Sequence, residues 1–272
     1  MNYRTVLPPE NLKSFIKYFW VLESKSPDRV ARTFGAIVDG CPGAIILQPQ
    51  NEAFCDERKK KLPGILLYGQ TITPVKLSTA GDFRAVGICF QPHALKSVFG
   101  FDANELTNTC IDLDLTSTKK TGKLSEQLFE MPTLNRQIET ICMHLTDQIK
   151  KNWRRSENIT TYALSQISAT HGNMSMKELQ QQLKVSERSL ERKFKQTVGI
   201  SPKLFARICR FQQTLNQMRR NRYDKLSDIA YENDYADQSH FIRVFKEFTG
   251  FSPLEFKKQS SEIVENFPQI KS

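Results

Sequence analysis

The 272-residue sequence has no apolar run of about 18 residues, the length that a helix needs to cross a bilayer. Its first ten residues also lack the basic stretch followed by an apolar stretch that marks a secretory signal. Hydrophobic residues nevertheless make up 39% of the chain, which is enough for the cores of two ordinary domains. These features predict a two-domain cytoplasmic protein without membrane contact.

The motifs of enzymes and metal sites are missing as well. The sequence has no G-x-G-x-x-G, P-loop, G-x-S-x-G or H-E-x-x-H motif. Its six cysteines form no C-x-x-C pair and match no zinc-finger pattern. We therefore predict no catalytic residue, no metal site and no cofactor. The cysteines are interpreted as reduced cytosolic thiols, with redox sensing as the alternative.

The net charge is close to zero in the first part of the chain and strongly positive in the second. Residues 1–150 hold 18 Lys and Arg against 16 Asp and Glu, whereas residues 151–272 hold 21 against 13. The net charge of +10 therefore comes mostly from the C-terminal part. A basic domain suits a polyanion such as nucleic acid, because its side chains neutralise phosphates and release counterions.

Short apolar runs, separated by Gly, Pro and Asp turns, fill the first 120 residues. Examples of these runs are Phe15–Leu22, Ala44–Leu47, Ile65–Tyr68 and Arg84–Phe90. This pattern predicts an antiparallel sandwich or barrel. Directly after it, Ala94 to Phe99 has the spacing of a short helix that ends at Gly100.

Between residues 133 and 152 the apolar positions follow a helical period. The stripe comprises Leu134, Ile138, Ile141, Leu145 and Ile149. Two interpretations stay open at this point: the stripe packs on the barrel of its own chain, or it forms the seam of a homodimer. Residues 150–156 then resemble a linker into the basic part of the chain.

The remaining chain is predicted to be helical almost throughout. A helix over about 157–171 stops at Gly172-Asn173, since both residues tolerate the left-handed geometry of a helix end. Its inward-facing residues are predicted to be Ile159, Tyr162, Ala163 and Ile167. Ser175 then caps the next helix, and Glu178 completes a capping box.

An internal repeat relates two segments that lie 51 residues apart. Residues 192–205 read RKFKQTVGISPKLF, and residues 243–256 read RVFKEFTGFSPLEF. In each copy a helix ends at a glycine, serine caps the next helix and proline takes its first position. The first phenylalanine of each copy is predicted to point inward, while its flanking Arg and Lys stay outside.

Each copy is preceded by two helices and a tight turn, which is the pattern of a helix-turn-helix unit. In the first unit, Met176–Leu183 is followed by Lys184-Val185, and Ser186 caps a helix that runs to about Val198.

In the second unit, about Leu226–Asn233 is followed by Asp234-Tyr235, and Asp237 caps a helix that runs to about Thr249. Its turn is one residue longer than the first. One helix, with a buried stripe from Leu204 to Met218, is predicted to connect the units.

The second helix of such a unit enters the major groove and turns its N-terminal residues toward base edges. Arginine can read guanine there and glutamine can read adenine, whereas other contacts reach phosphates. The predicted DNA-contacting residues are Arg188, Ser189, Glu191, Arg192, Lys195, Gln238, Ser239, His240, Arg243 and Lys246. Lys195 and Lys246 are the better candidates for phosphates, together with Arg207, Arg210, Arg219, Arg220 and Arg222.

These residues resemble the AraC/XylS family of transcription regulators over about 157–258. Residues 229–256, IAYENDYADQSHFIRVFKEFTGFSPLEF, are similar to the family's C-terminal signature, and VSERSLERKFK at 185–195 resembles its first recognition helix. The resemblance implies two recognition helices in successive major grooves on one face of the DNA. It implies that Arg188, Glu191 and Arg192 face bases in the first groove, and Gln238 and Ser239 in the second, with Arg243 nearer the backbone. The sequence departs from the family at Asp234 of the second turn, where glycine is common, and at Gln180, where a small residue is usual. The first turn has Lys184 at the place comparable to Asp234.

The N-terminal region resembles the family's β-rich sensing domains through the stretch Pro8–Trp20. The expected fold class is therefore α+β, with a β-rich sensing or dimerisation domain (1–152), a tandem helix-turn-helix domain (153–260) and a tail (261–272). We expect a regulator that binds double-stranded DNA, responds to a small-molecule effector and forms a homodimer, with RNA polymerase as a partner if it is an activator. The candidate effector-binding residues are Trp20, Tyr68, Arg84 and Phe90. The alternative is an interaction or ligand-binding barrel protein whose nucleic-acid binding is secondary.

Overall fold

The structure is a computed structural model that describes residues 2–25, 31–50, 52–116, 123–152, 158–259 and 269–270. Residues 153–156 of the predicted linker and most of the predicted tail lie outside the described residues. The strands are β1 (Asn2–Val6), β2 (Ile16–Ser24), β3 (Ala31–Ala36), β4 (Gly43–Pro49), β5 (Ile65–Tyr68), β6 (Val75–Ala80), β7 (Phe83–Phe90), β8 (Cys110–Asp112) and β9 (Gln269–Ile270). The four predicted strands are thus confirmed as β2, β4, β5 and β7.

The strands form two antiparallel sheets. The larger sheet has the order β1-β2-β7-β4-β5-β8, and the smaller has the order β6-β3-β9. An apolar cluster joins them, since Phe34 of β3 and Leu77 of β6 pack with Trp20, Ile45 and Leu66 of the larger sheet. The other face of the larger sheet is covered by helices.

Three helices cover that face: α1 (Ala94–Phe99), α2 (Leu124–Glu130) and α3 (Leu134–Asn152). As predicted, α1 ends at Gly100, whose φ of 79° is left-handed. The apolar stripe of α3 is covered by its own chain, because Leu134, Ile141 and Leu145 are buried against α1 and the larger sheet. The intramolecular interpretation of this stripe is therefore correct, and a homodimer would need another surface.

The C-terminal helices are α4 (Asn158–Ala169), α5 (Met176–Leu183), α6 (Glu187–Val198), α7 (Pro202–Arg219), α8 (Leu226–Glu232), α9 (Gln238–Thr249) and α10 (Pro253–Gln259). One inward prediction was wrong, since the side chain of Tyr162 is 41% exposed. The buried stripe of α4 is formed by Thr160, Ala163, Leu164 and Ile167, which follow the i, i+3, i+4, i+7 period. Tyr162 lies beside this stripe and donates a hydrogen bond to Gln182.

The two repeat copies fold in the same way. Gly199 ends α6 and Gly250 ends α9, both in the left-handed region, with φ values of 97° and 82°. The ring of Phe194, fully buried, packs 5.7 Å from Phe205 in the first copy. The corresponding rings of the second copy, Phe245 and Phe256, lie 5.5 Å apart.

The loop between β3 and β4 inserts into the helical domain. Ile37 and Val38 are buried in the same apolar cluster as Phe211 and Phe248. The N–H of Val38 donates to the carbonyl of Phe248 at 3.3 Å, and the amide of Gln212 donates to the carbonyl of Val38 at 2.6 Å. The N-terminal domain therefore supplies part of the helical core. None of the described helices combines the length and apolar character needed to cross a membrane.

Candidate nucleic-acid interface and ligand cavity

The two helix-turn-helix units share one turn geometry. Lys184 and Asp234 both adopt left-handed φ values, 53° and 54°. In each unit the next residue, Val185 or Tyr235, donates its N–H to a carbonyl five residues earlier, at 3.2 and 3.0 Å. This is the hydrogen bond of a Schellman helix end, so both turns form without glycine at the left-handed position.

The second helix of each unit begins at the predicted cap. The hydroxyl of Ser186 accepts a hydrogen bond from the N–H of Ser189 at 3.3 Å, and the carboxylate of Asp237 accepts one from the N–H of His240 at 2.7 Å. The left-handed residue precedes its cap by two positions in the first unit and by three in the second. The prediction of a longer second turn is thus confirmed.

Helix α6 presents a charged outer face. Arg188, Arg192 and Lys195 are exposed, whereas Leu190 and Phe194 are buried beneath them. Ser189 and Glu191 are half-buried. The ammonium of Lys195 lies 2.9 Å from the carboxylate of Glu191, and this hydrogen-bonded cation lowers the pKa of Glu191.

Helix α9 repeats the arrangement with less charge. Gln238, Ser239, Arg243 and Lys246 are exposed, and the side chains of Phe241 and Phe245 are fully buried. His240 is half-buried, and its Nδ1 accepts a hydrogen bond from the N–H of Ala236 at 3.4 Å. Its ring packs at 5.5 Å against Tyr235, so His240 also supports the turn.

Two basic residues of α7 make contacts within the protein. The guanidinium of Arg207 lies 2.7 Å from a carboxylate oxygen of Glu247. The guanidinium of Arg210 donates to Asn173 at 2.9 Å and to the carbonyls of Gly172 and Asp234 at 3.2 Å each. Arg210 therefore joins the end of α4 to the turn of the second unit, a role that the sequence did not reveal.

A cavity of about 290 Å³ lies between the two sheets of the N-terminal domain. Its wall is largely aromatic and aliphatic, and its polar members include Asp39, Asp56 and Asn108. The aromatic members are Tyr3, Tyr18, Trp20 and Tyr68. Burial, followed by the nearby charge of Asp39, raises the pKa of Tyr68, so this phenol is neutral at ordinary pH.

Two glycines make room for the aromatic wall. A Cβ atom on Gly87, which pairs with Trp20 across β2 and β7, would overlap the indole ring. A Cβ atom on Gly43 would likewise overlap the phenol of Tyr68. Both glycines therefore fix where the predicted residues Trp20 and Tyr68 lie in the cavity wall.

The other two candidate effector residues, Arg84 and Phe90, do not line this cavity. Side chains alternate along β7, so Phe83, Ala85 and Cys89 face the layer between the sheets, whereas Phe90 packs under the helices. Arg84 forms an ion pair with Glu23 at 2.6 Å. The sequence alone did not fix which face of β7 points into this cavity, and the effector-binding roles of Arg84 and Phe90 remain predictions.

Two family models match separate parts of the chain. Residues 4–112 match a family described as a domain of unknown function (DUF6597), and residues 179–259 match a helix-turn-helix domain family. Over 96 residues the chain is 27% identical to uncharacterised HTH-type transcriptional regulators of Staphylococcus aureus strains MSSA476 and N315. The match covers 35% of this chain and spans 13% of the length of those relatives.

Several solved structures match the chain at low sequence identity. ToxT from Vibrio cholerae matches with a TM-score of 0.46 and 13% identity, over 94% of this chain and 98% of that chain. A ToxT structure bound to an unsaturated fatty acid matches with a TM-score of 0.44 and 14% identity, over 91% and 97% of the two chains. The C-terminal domain of AraT, a response regulator from Geobacillus stearothermophilus, matches with a TM-score of 0.36 and 23% identity, over 41% and 95%.

The C-terminal region is thus a tandem helix-turn-helix domain of the AraC type, the DNA-binding module of a class of transcription regulators. In this chain the module follows an N-terminal β-rich region, of which residues 4–112 match the family described as a domain of unknown function (DUF6597).

Proposed function

We propose that the chain is a sequence-specific DNA-binding transcription regulator, with α6 and α9 as recognition helices in successive major grooves. One observation carries the proposal. Two units of the same construction each bury the apolar face of their second helix and expose a polar face that carries arginine and lysine. Such a face is what direct readout of base edges requires. A regulator of this kind works where the DNA is, in the cytoplasm.

The side chains divide by chemistry into base and phosphate contacts. Arg188 and Arg192 are suited to guanine and Gln238 to adenine, because each can form paired hydrogen bonds in the major groove. Glu191 can accept from the amino group of cytosine, and its pair with Lys195 holds it on the outer face.

The remaining candidates take supporting roles. Ser189, Ser239 and His240 lie at the helix starts, and Arg243 faces the DNA backbone. Lys195 and Lys246 neutralise phosphates, which strengthens binding to any sequence.

We further propose that a small-molecule effector occupies the cavity and alters DNA binding. The cavity wall includes Ile37 and Asp39 on the loop that enters the helical core, and Asn108 beside Thr107. The hydroxyl of Thr107 donates to the carbonyl of Gly199, the residue that ends α6. A ligand that displaces either segment would therefore act directly on the DNA-binding domain. If the regulator is an activator, RNA polymerase is its expected partner.

DNA binding is tested by selecting sequences from a random duplex pool with the full-length chain. The affinity for the selected sequence is then measured at several salt concentrations. We expect an enriched motif with two parts, one for each recognition helix, and an affinity well above that for unrelated DNA. Equal affinity for all duplexes would leave only the alternative of a ligand-binding barrel with secondary nucleic-acid binding.

The cavity is tested with N-phenyl-1-naphthylamine, a neutral apolar dye that fluoresces when it enters a protein cavity. Val75 lines the cavity and is 36% exposed, so Val75→Trp should block the entrance at little cost to the fold. We expect saturable dye binding to the wild type and to Val75→Thr, which preserves the size of the side chain, but not to Val75→Trp. Equal dye binding by all three chains would show that the dye binds elsewhere.

A further inference from the structure

Two thiols and a carboxylate converge where the loop between β3 and β4 meets β7. The Sγ atoms of Cys41 and Cys89 and a carboxylate oxygen of Asp39 all lie within 4.8 Å of one another. Both cysteines are buried and Asp39 is half-buried. The sheet register creates this cluster, because Gly43 pairs with Cys89 and the N–H of Phe90 donates to the carbonyl of Pro42.

We propose that Asp39, Cys41 and Cys89 bind a thiophilic divalent cation of the zinc class. In a tetrahedral zinc site the metal lies about 2.3 Å from sulfur and about 2.0–2.2 Å from carboxylate oxygen. Ligand atoms already within 4.8 Å of one another can reach that geometry with small side-chain movements. Two sulfur ligands select zinc-like ions over calcium or magnesium, which prefer oxygen.

The charge of the site is balanced by a neighbouring lysine. Two thiols lose their protons when they bind the ion, so two thiolates, one carboxylate and one divalent cation carry a net charge of −1. The ammonium of Lys17 donates to Cys41 Sγ at 3.9 Å and supplies the compensating positive charge. Lys17 is thus a positioning residue that donates to a metal ligand.

Three protein ligands leave one coordination position for a tetrahedral ion. Asp39 and Cys89 both line the cavity, so this position is open to water or to a donor atom of a cavity ligand. Asp39 and Cys41 also follow directly after Ile37 and Val38, which are buried in the helical core. The ion would therefore fix the end of the loop that joins the two domains.

The test is a titration of the reduced full-length chain with Co²⁺, followed by displacement with Zn²⁺. Tetrahedral Co²⁺ with thiolate ligands gives intense visible bands and a sulfur-to-metal charge-transfer band. We expect one Co²⁺ per chain and full displacement by Zn²⁺. Cys41→Ser and Cys89→Ser each leave one thiolate, so each should reduce the charge-transfer band and weaken binding by more than ~100-fold. Lys17→Met should weaken binding by about 10-fold.

Cys110→Ser is the matched control, because Cys110 is exposed and lies outside the cluster. Weak bands typical of six-coordinate Co²⁺, or equal losses in Cys110→Ser and Cys41→Ser, would mean adventitious binding and overturn the proposal. If Cys89→Ser fails to fold, Asp39→Asn decides the matter. The asparagine side chain retains the oxygen that accepts a hydrogen bond from the N–H of Cys41 at 2.9 Å, so the fold should be preserved. Weakened Co²⁺ binding at an unchanged melting temperature would then support the site, and unchanged Co²⁺ binding would reject it.

Discussion

Gly199 and Gly250 occupy the same position in the two repeats, and each lies against the N-terminal domain. The hydroxyl of Thr107 donates to the carbonyl of Gly199 at 2.7 Å, and a Cβ atom on Gly250 would lie 3.5 Å from the ring of Pro74. The N-terminal domain therefore contacts the C-terminal ends of both recognition helices. Their N-terminal halves, which carry Arg188 and Gln238, stay exposed.

Arg188→Ala should weaken binding to the selected DNA sequence by about 1–3 kcal/mol and relax the base preference at one position, because a paired hydrogen bond to guanine is lost. Arg188→Lys retains the charge but not the planar fork, so it should show a similar loss. Both effects are measured by fluorescence anisotropy on matched and single-base-changed duplexes. If Arg188→Lys binds like the wild type, Arg188 contacts a phosphate instead.

Lys246→Ala should weaken binding to all sequences about equally and reduce the slope of log affinity against log salt by about one, because one phosphate contact is lost. Lys60→Ala is the control, since Lys60 is an exposed lysine of the N-terminal domain. An unchanged salt slope for Lys246→Ala would remove Lys246 from the interface.

Lys184→Gly should stabilise the protein by about 0.5–1 kcal/mol. A left-handed backbone costs a residue with a side chain about 1–2 kcal/mol, which the larger unfolded-state entropy of glycine partly offsets. Asp234→Gly should gain less, because Asp tolerates this geometry better. Urea denaturation measures both, and a loss of stability in Lys184→Gly would contradict the expectation.

Gly87→Ala should destabilise the N-terminal domain by about 1–3 kcal/mol, because the added methyl group overlaps the indole of Trp20. Gly64→Ala is the matched substitution, because its methyl group would lie 3.1 Å from the ring of Phe129, which is 42% exposed, and 3.3 Å from the Cβ atom of Ser125. Thermal unfolding should separate the two variants clearly. Equal melting temperatures would mean that Trp20 repacks without cost.

Because of the Cys209 thiol, we expect the free energy of unfolding to fall at alkaline pH. Burial is the main reason that its pKa is raised from 9.0 to about 12. Above about pH 9 the unfolded chain loses this proton while the folded chain keeps it, so the free energy of unfolding falls between pH 9 and 12.

Cys209→Ala should therefore show a shallower decline over this range, by at most about 1.4 kcal/mol per pH unit. Urea denaturation under reducing conditions measures the decline, and the same variant at about pH 7 isolates the packing effect. If the free energy of unfolding fell equally with pH in Cys209→Ala and in the wild type, the raised pKa of Cys209 would be contradicted.

Local signals made the helical domain predictable from the sequence. The caps Ser186, Ser201 and Asp237 and the glycines of the repeat act within a few residues, so their positions fix helix ends directly. The DNA-contacting roles of the exposed residues remain predictions.

The cavity and the thiol cluster were not predictable in this way. Cys41 and Cys89 come together only because of the register in which the strands pair. Tyr3 and Tyr18 line the cavity only because β1 and β2 turn these side chains, rather than their neighbours, toward the smaller sheet. Neither strand register nor the inward face of a strand can be recognised from residue spacing in a single sequence.

The insertion of Ile37 and Val38 also limits how freely this DNA-binding module can be exchanged. A fragment that begins at α4 would expose the apolar recess that these two side chains fill. It would also lose the donor to Phe248 and the acceptor for Gln212. Grafting the module behind a foreign sensor would therefore require that sensor to bring its own pair of aliphatic residues on a protruding loop.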